Sequence, residues 1–482
     1  MDQESPYSDA LTCFEDQTLV TVACGTTTTC LGDERNLREF LVADETAQQL
    51  RQAGHAVISL LIDDSLDPLD PRHLRIAFNG EERLIEKWVE WCGKPLAHVP
   101  DPWECHPSYA AHFEDALLDR LQNLGCSPNL VSTASLYDGG LYEPYVTLVL
   151  QRHEEIRAFL AERFSGYEPE RLFWLICPKC GYIDQTRIEQ VDRAEVIYHC
   201  DRCEQSDSVP LGEVKGKLNW KLDCAVRWVL LGIDAEPFSK AYLEPRTGSF
   251  AVAQALSKTF FGGHTVQPLH YGLVRLDKSV SYRLLPSLPP HILRRLFTDR
   301  ATADLTITPD YVMNLASRAE SGYGLSYLEC VKQLIPMWLL RPHSLTDHQR
   351  HIVASGIRFA REFMGQELSL QLPTREIIEE IPVETVEMMQ SFLADIIRLR
   401  ESRGACWEAF CEPARQRVAS LGENKSAVIS HLRAVIGQKQ GVPAPRLLFL
   451  LPVDYLEVLE YILDLRLAAI SEPWSLTDKL AA

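Results

Sequence analysis

Apolar and polar positions first mark out an alternating β/α pattern. Thr18–Gly25 (TLVTVACG) has the composition of a short buried strand ending in glycine. A Thr-rich turn follows. Asn36–Ala53 then carries Leu37, Phe40, Leu41 and Leu50 at helical spacing, with Gly54 as a C-cap. Ala56–Ile62 (AVISLLI) is a second apolar run, closed by Asp63-Asp64. Strand, helix and strand in this order predict a βαβ unit and a parallel sheet. Ligands of such sheets lie at the carboxyl ends of the strands, here around Cys24–Thr29 and Asp63–Asp64. A helix is expected over Ser108–Leu124, stopping at Gly125, and a strand at Asn129–Ser132. From Leu172 the pattern changes to a small insertion, and Asn219–Leu231 leads back into the sheet domain as a helix. Beyond Pro286 the chain reads as helical with Pro/Gly punctuation, and no strand is expected there.

Charge and cysteine usage narrow the class. The 482 residues carry a net charge of −19, distributed unevenly. Residues 1–340 hold 32 Lys+Arg against 48 Asp+Glu, whereas residues 341–482 hold 16 against 19. This balance argues against DNA and against broad non-specific nucleic-acid binding. It leaves the C-terminal third as the less repulsive surface, with Arg415/Arg417 and Lys425/Arg433/Lys439 as local basic groups; a solvated helix face is the plainer reading of each. No run reaches the ~18 apolar residues of a membrane span. The start MDQESPYSDA is acidic, unlike a signal or transit peptide. Fourteen scattered cysteines suit a reducing cytosol better than a disulfide framework, so a cytoplasmic location is expected.

Four of those cysteines form a motif. Cys177-Pro-Lys-Cys180 and Cys200-Asp-Arg-Cys203 are two CxxC pairs, each after a strand-like run (LFWLI and VIYH). Two such knuckles supply four thiolates, the ligand set of a closed structural zinc site. A filled four-sulfur shell leaves no position for substrate, so this zinc is expected to serve folding.

Several stretches together resemble the class I lysyl-tRNA synthetases, over essentially the whole chain. They are Ala23-Cys24-Gly25, Asn36-Leu37-Arg38-Glu39, Asp63-Asp64, Gly93-Lys94-Pro95, Pro100-Asp101-Pro102, Ser108-Tyr109 with His112-Phe113, and GKLNWKLDCAVRW (Gly216–Trp228). The zinc insertion, Leu288-Pro289-Pro290 with Ile292-Leu293-Arg294, and HLRAVIGQKQGVPAPRLLFLL (His431–Leu451) complete the set. The resemblance implies an α/β Rossmann-type catalytic domain with a zinc-bearing insertion, then an all-α anticodon-binding-like domain. Its boundaries would be 1–160 and 211–285 for the two parts of the catalytic domain and 161–210 for the insertion. A connecting helical segment would take 286–345 and the anticodon-binding-like domain 346–482. The family activates lysine with ATP and transfers it to tRNA, which makes an amino acid (lysine or an analogue) and tRNA the implied partners.

The elements that handle ATP depart from the family pattern. Where the family has HIGN, this chain has Asp33-Glu34-Arg35-Asn36. A carboxylate facing a phosphate at ~4 Å costs roughly 4 kcal/mol at an effective dielectric near 20, and Arg35 would crowd the adenine. The family's KDH is Lys240-Ala241-Tyr242, and its GSYD is Gly248-Ser249-Phe250-Ala251. The KMSSS loop corresponds at best to Lys278-Ser279-Val280-Ser281-Tyr282-Arg283. These departures imply a homologue that binds an amino acid, tRNA or both, with adenylation impaired or lost. Three alternatives stand beside it: a transferase or ligase passing an amino acid or aminoacyl group to a small molecule or peptide, an unusual but active ATP-dependent lysine–tRNA ligase, and an interaction or regulatory protein that has lost both ligands.

Candidate residues follow from both lines of reading. Asp33, Arg35 and Lys278 are the catalytic candidates. Under the transferase alternative Asp33, Glu34, Asp63 or Asp64 would act as bases, and under the ligase alternative Arg35, Lys278 and Arg283 would replace the lost phosphate contacts. Gly25, Thr27 and Thr29, in a Gly/Thr turn at a strand's carboxyl end, are ligand-binding candidates. So are Asp63 and Asp64, together with Trp220, Asp223 and Arg227. Trp220 and Asp223 share a helical face, where a Trp walls a pocket and an Asp holds an ammonium group; packing and capping explain them as readily. Cys24 and Cys30 are further candidates, as redox-active or nucleophilic thiols.

Overall fold

The computed structural model describes residues 6–29, 36–165, 167–281, 283–339, 345–366, 368, 375–403, 407–437, 443–451 and 453–471. Asp33, Glu34 and Arg35, with Cys30, Tyr282 and Lys439, lie outside the described residues. The chain divides into two compact units, one of residues 1–285 with 290–309 and the other of residues 286–289 with 310–482.

In the first unit the predicted elements close into a parallel sheet. Its strands are β1 (Leu19–Thr26), β2 (Ala56–Asp63), β3 (Asn129–Ser132), β4 (Ala235–Ser239) and β5 (Gln267–Tyr271), in the order β5-β4-β1-β2-β3. The helix Leu37–Gln52 connects β1 to β2 and buries Leu37, Phe40, Leu41 and Leu50, the residues its apolar spacing marked. Gly54 follows it with φ 101°, a left-handed conformation that glycine adopts without strain. Ser108 caps the helix Tyr109–Asn123 through its side chain, and Asn219 caps Trp220–Leu230 in the same way. The order of strands reverses between β1 and β4, which places a switch point, and hence a crevice, beside the carboxyl end of β1.

Pro237 widens that crevice. It lies within β4, where proline gives the ladder no N–H. The pairing of β1 with β4 is confined to Val22↔Ala235, one turn of the ladder below. Above that point the two strands part, and side chains occupy the gap. On the other side β1 pairs continuously with β2 from Leu19↔Ala56 to Thr26↔Asp63.

The insertion interrupts this unit as expected from the change of pattern at Leu172. Phe173–Leu175 pairs antiparallel with Gly216–Leu218, and Thr186–Val191, Glu195–Cys200 and Gln205–Pro210 form an antiparallel three-stranded sheet. Gly93 anchors the insertion to the sheet domain: its carbonyl accepts from Ile183 N at 2.9 Å. Its φ is 96°, and a Cβ there would meet Asp184 Oδ1 at 2.4 Å, so only glycine fits.

One expectation fails here. Leu305–Ile307 is a strand, pairing parallel with Val274–Leu276, although no strand was expected beyond Pro286. Three residues are too short a run for their alternation to announce them. The helix Pro290–Thr298 also folds with the first unit. Arg38, 1% exposed, ties it there by donating to the carbonyls of Phe297, Gly272, Ala303 and Arg300.

The regular elements among the described residues of the second unit are helices, beside one isolated bridge between Glu320 and Ser326. Val383–Arg403 packs along Val453–Ser471, and Phe359, Phe392 and Phe410 are fully buried. Two of its expected basic groups are already engaged: Arg417 pairs with Asp395 at 2.6 Å and Arg415 with Glu412 at 3.7 Å. Among the described residues of the chain no helix is long and apolar enough to cross a membrane.

Candidate functional site

Where β1 and β4 part, a cleft of about 430 Å³ opens. Gly25, Thr26 and Thr27 line it from the end of β1, Glu236, Pro237 and Phe238 from β4, and Tyr271 from the end of β5. Asn36 and Glu39 close it from the first helix, Asp64 and Asp67 from the turn after β2, and Trp220, Arg227 and Tyr242 from the far wall. Of the eight ligand-binding candidates, Gly25, Thr27, Asp64, Trp220 and Arg227 thus converge on one cavity.

Part of the charge in the cleft is paired within the chain. Arg227, 2% exposed, donates to Glu236 Oε1 at 2.7 Å and lies 3.8 Å from Asp64 Oδ2. Trp228 Nε1 donates to the other Glu236 oxygen at 2.5 Å. The guanidinium runs beneath the end of β1, where a Cβ on Gly25 would stand 2.9 Å from Arg227 Nη2. Any larger residue at Gly25 would thus push the Arg227 guanidinium from its place beside Glu236. Burial pushes the Asp64 carboxyl up to about 6 against the pull of Lys217 and Arg227.

Two hydroxyls in the wall are bound to carboxylates. Tyr271 donates to Glu39 Oε2 at 2.8 Å, and Thr27 Oγ1 donates to Asp67 Oδ2 at 2.6 Å. The other Asp67 oxygen is taken by Lys217, an ammonium 4% exposed that does not itself line the cleft. Burial pushes the Glu39 carboxyl up to about 7, outweighing the Tyr271 hydrogen bond, and nearby Glu236 adds to the rise. Trp220 and Tyr242 meet edge to face at 6.0 Å, exposed by 37% and 48% respectively. The result is a cavity with aromatic sides and an acceptor-rich floor.

The remaining candidates point elsewhere. Asp63 is fully buried and accepts from Thr28 N at 2.6 Å, which fixes the threonine turn. Thr29 gives its carbonyl to Tyr109 Oη at 2.7 Å. Asp223 is buried and takes the phenols of Tyr137 at 2.6 Å and Tyr142 at 3.2 Å. Cys24 is buried with its thiol pushed well above the usual range by that burial, which speaks against a nucleophile. Lys278 is exposed in the turn after Val274–Leu276, outside the cleft lining. Sequence reading did not single out Glu39, Asp67, Lys217, Glu236 or Tyr271 as site residues. Two of them carried a signal, since Glu39 and Lys217 sit inside the motifs Asn36–Glu39 and Gly216–Trp228.

The four cysteines of the insertion converge as their spacing predicts. Cys177 Sγ lies 3.8 Å from Cys203 Sγ, and Cys180 Sγ 3.6 Å from Cys200 Sγ, with all four sulfurs within 4.8 Å of one another. The first knuckle turns through Gly181, whose N–H bonds the Cys177 carbonyl at 2.9 Å. A metal ion could be held there. A second group with that capacity, not foreseen from sequence, is Asp101, Cys105, His106 and His112. Asp101 accepts from the N–H groups of Trp103, Cys105 and His106, and Trp103 stacks on His112 at 4.3 Å. Its mixed ligands lack the repeated spacing that made the cysteines conspicuous.

Comparison with known proteins supplies the class. Residues 9–282 match the family of tRNA synthetases class I (K). The lysine–tRNA ligase of Archaeoglobus fulgidus is 33% identical over 274 residues, covering 54% of this chain and 53% of that protein. Lysine–tRNA ligase 1 of Methanosarcina acetivorans is 29% identical over 473 residues, covering 85% and 84%. The match thus spans about half the length of the first relative and most of the second. The chain belongs to the class I (K) tRNA synthetase family, and its parallel sheet followed by a mostly helical region is that fold.

Proposed function

We propose that this protein is a class I lysyl-tRNA synthetase homologue that binds lysine or a close analogue in the cleft above Gly25, with activation by ATP impaired or lost. The observation that carries the reading is a division within the chain. The cleft keeps Gly25, Thr27, Trp220 and Arg227 around one cavity with an acceptor-rich floor, suited to an amino acid bearing ammonium groups. The ATP-handling positions Asp33-Glu34-Arg35-Asn36, Tyr242, Ala251 and the segment from Lys278 instead carry residues that fit phosphate and adenosine poorly. Under this reading the helical second unit contacts tRNA, while residues 290–309 of the expected connecting segment work with the catalytic domain they fold with.

The insertion is proposed to hold zinc on Cys177, Cys180, Cys200 and Cys203. An ion bonded to four sulfurs at about 2.3 Å separates them by roughly 3.8 Å, which the 3.8 and 3.6 Å spacings match. The ion would serve structure, since four thiolates fill its shell.

ATP–pyrophosphate exchange with lysine tests the reading, alongside calorimetry of lysine alone. Lysine should bind, exchange should be negligible, and Asp33→His with Arg35→Gly should improve ATP binding. Robust exchange in the unmodified protein would replace this reading with that of a working lysine–tRNA ligase, and Arg35 and Lys278 would be the first residues to test for phosphate contact.

A further inference from the structure

We infer that Lys217, Asp67 and Thr27 form a hydrogen-bond relay that presents the Thr27 hydroxyl to the cleft as an acceptor, so that the site selects a ligand with a donating ammonium group. Lys217 is a positioning residue in this scheme, acting through Asp67. The inference rests on the amino-acid reading above and specifies how the amine is chosen.

Hydrogen-bond polarity carries the argument. An ammonium has three donors and no acceptor, and a carboxylate has acceptors only. Lys217 is buried and bonded to Asp67 Oδ1, so Asp67 has no proton to give. Its Oδ2 stands 2.6 Å from Thr27 Oγ1, and the hydroxyl proton must lie between them. Thr27 and Asp67 both line the cleft, and with its proton on Asp67 the Thr27 hydroxyl has only lone pairs to offer a ligand. A ligand N–H completes that arrangement, whereas a ligand carbonyl or carboxylate meets an acceptor. Tyr271 repeats the device across the cavity, its proton committed to Glu39 at 2.8 Å.

Asp67→Asn tests the relay with little change of shape. Lys217 can bond only the amide oxygen, which turns the amide N–H₂ toward Thr27 Oγ1 and forces the Thr27 proton into the cleft. Lysine binding is measured by calorimetry for the unmodified protein, Asp67→Asn, Thr27→Val and the double variant, with melting temperatures alongside. Each single change should raise the lysine Kd about tenfold or more, equivalent to about 1.4 kcal/mol. The double variant should bind no worse than Thr27→Val, because without the hydroxyl there is nothing to turn. Adding Lys217→Met to Asp67→Asn frees the amide to flip and should return part of the loss; no return at all removes Lys217 from the relay. Affinity for lysine within twofold of the unmodified protein in Asp67→Asn overturns the inference, as does a loss that persists in the Thr27→Val background. If the unmodified protein binds no lysine, the amino-acid reading falls and the inference with it. Binding without the polarity effect removes the inference alone.

Discussion

The cysteine cluster and the cleft above Gly25 both gather ionisable groups in partly buried surroundings, and they balance them differently. In the cleft the chain supplies its own counter-charges: Arg227 to Glu236 and Asp64, and Lys217 to Asp67. These three carboxylates share two cations of the same chain, although Asp64 Oδ1 and Arg227 Nη1 keep no hydrogen-bond partner among the described residues. Around the four cysteines the described residues form no ion pair with a sulfur; each sulfur faces other sulfurs, with backbone N–H groups as further partners. Four thiolates at that spacing repel, and an ion bound among them, as proposed above, would supply the balancing charge. One region thus carries cations of its own, whereas the other, on the proposed reading, draws its cation from solution.

The contrast is sharpest in what removal of the proposed ion would do. Structural zinc contributes about 10–16 kcal/mol in zinc-finger peptides, more than any pair in the cleft. Cys180→Ser, or dialysis against a chelator, should remove close to one equivalent of metal and produce the largest fall in melting temperature of any change considered. The fall should begin in the insertion, detected as early hydrogen exchange over residues 173–210. Full retention of metal by Cys180→Ser sinks the assignment of these four ligands.

A smaller loss is expected when a counter-charge inside the cleft is taken away. Arg227→Met strands Glu236, a carboxylate 2% exposed, and leaves Asp64 without its nearer guanidinium. Removing one partner of a buried pair costs about 3–5 kcal/mol. Glu236→Gln added to Arg227→Met should recover a large part of that cost in urea unfolding, because the stranded charge goes with it. If the two changes simply add, the cleft is not self-balanced and the contrast with the cysteines dissolves.

The same difference decides what could be read from sequence. Each cysteine knuckle is local, with both ligands within four residues, so spacing alone marked the site. Strand and helix limits near Gly25, Gly54 and Asn129 were legible for the same reason, through short apolar runs and caps. The cleft is assembled from residues 25 to 271. Its acids carry no local signature, because Glu39 and Glu236 become special only when the sheet brings them beside Arg227 and Tyr271. Alternation along the chain explains the rest: Asp64 faces the cleft, whereas its neighbour Asp63 turns away to hold Thr28. Trp220 looks outward, and Asp223, three residues on, is drawn to two tyrosines.

The smallest expected effect concerns Glu39, and it tests whether the cleft is in balance at every pH. Burial lifts this carboxyl to about 7 from an ordinary value of 4.5. Unfolded, the group ionises near the lower value; folded, it keeps its proton until the higher one. Between the two, the folded state binds more protons than the unfolded state, so stability falls as pH rises. The contribution is fully present below about pH 4.5 and is lost by about pH 7, at up to about 1.4 kcal/mol per pH unit for a single group. Asp64, lifted to about 6, adds a slope of the same sign over a narrower range. Glu39→Gln removes its own contribution without removing the oxygen that accepts from Tyr271. Urea midpoints measured from pH 5 to 8 should therefore decline less steeply in the variant, the two curves converging at the acid end. A variant as steep as the unmodified protein means that Glu39 is already ionised there, so that the cleft holds its negative charge across the whole range.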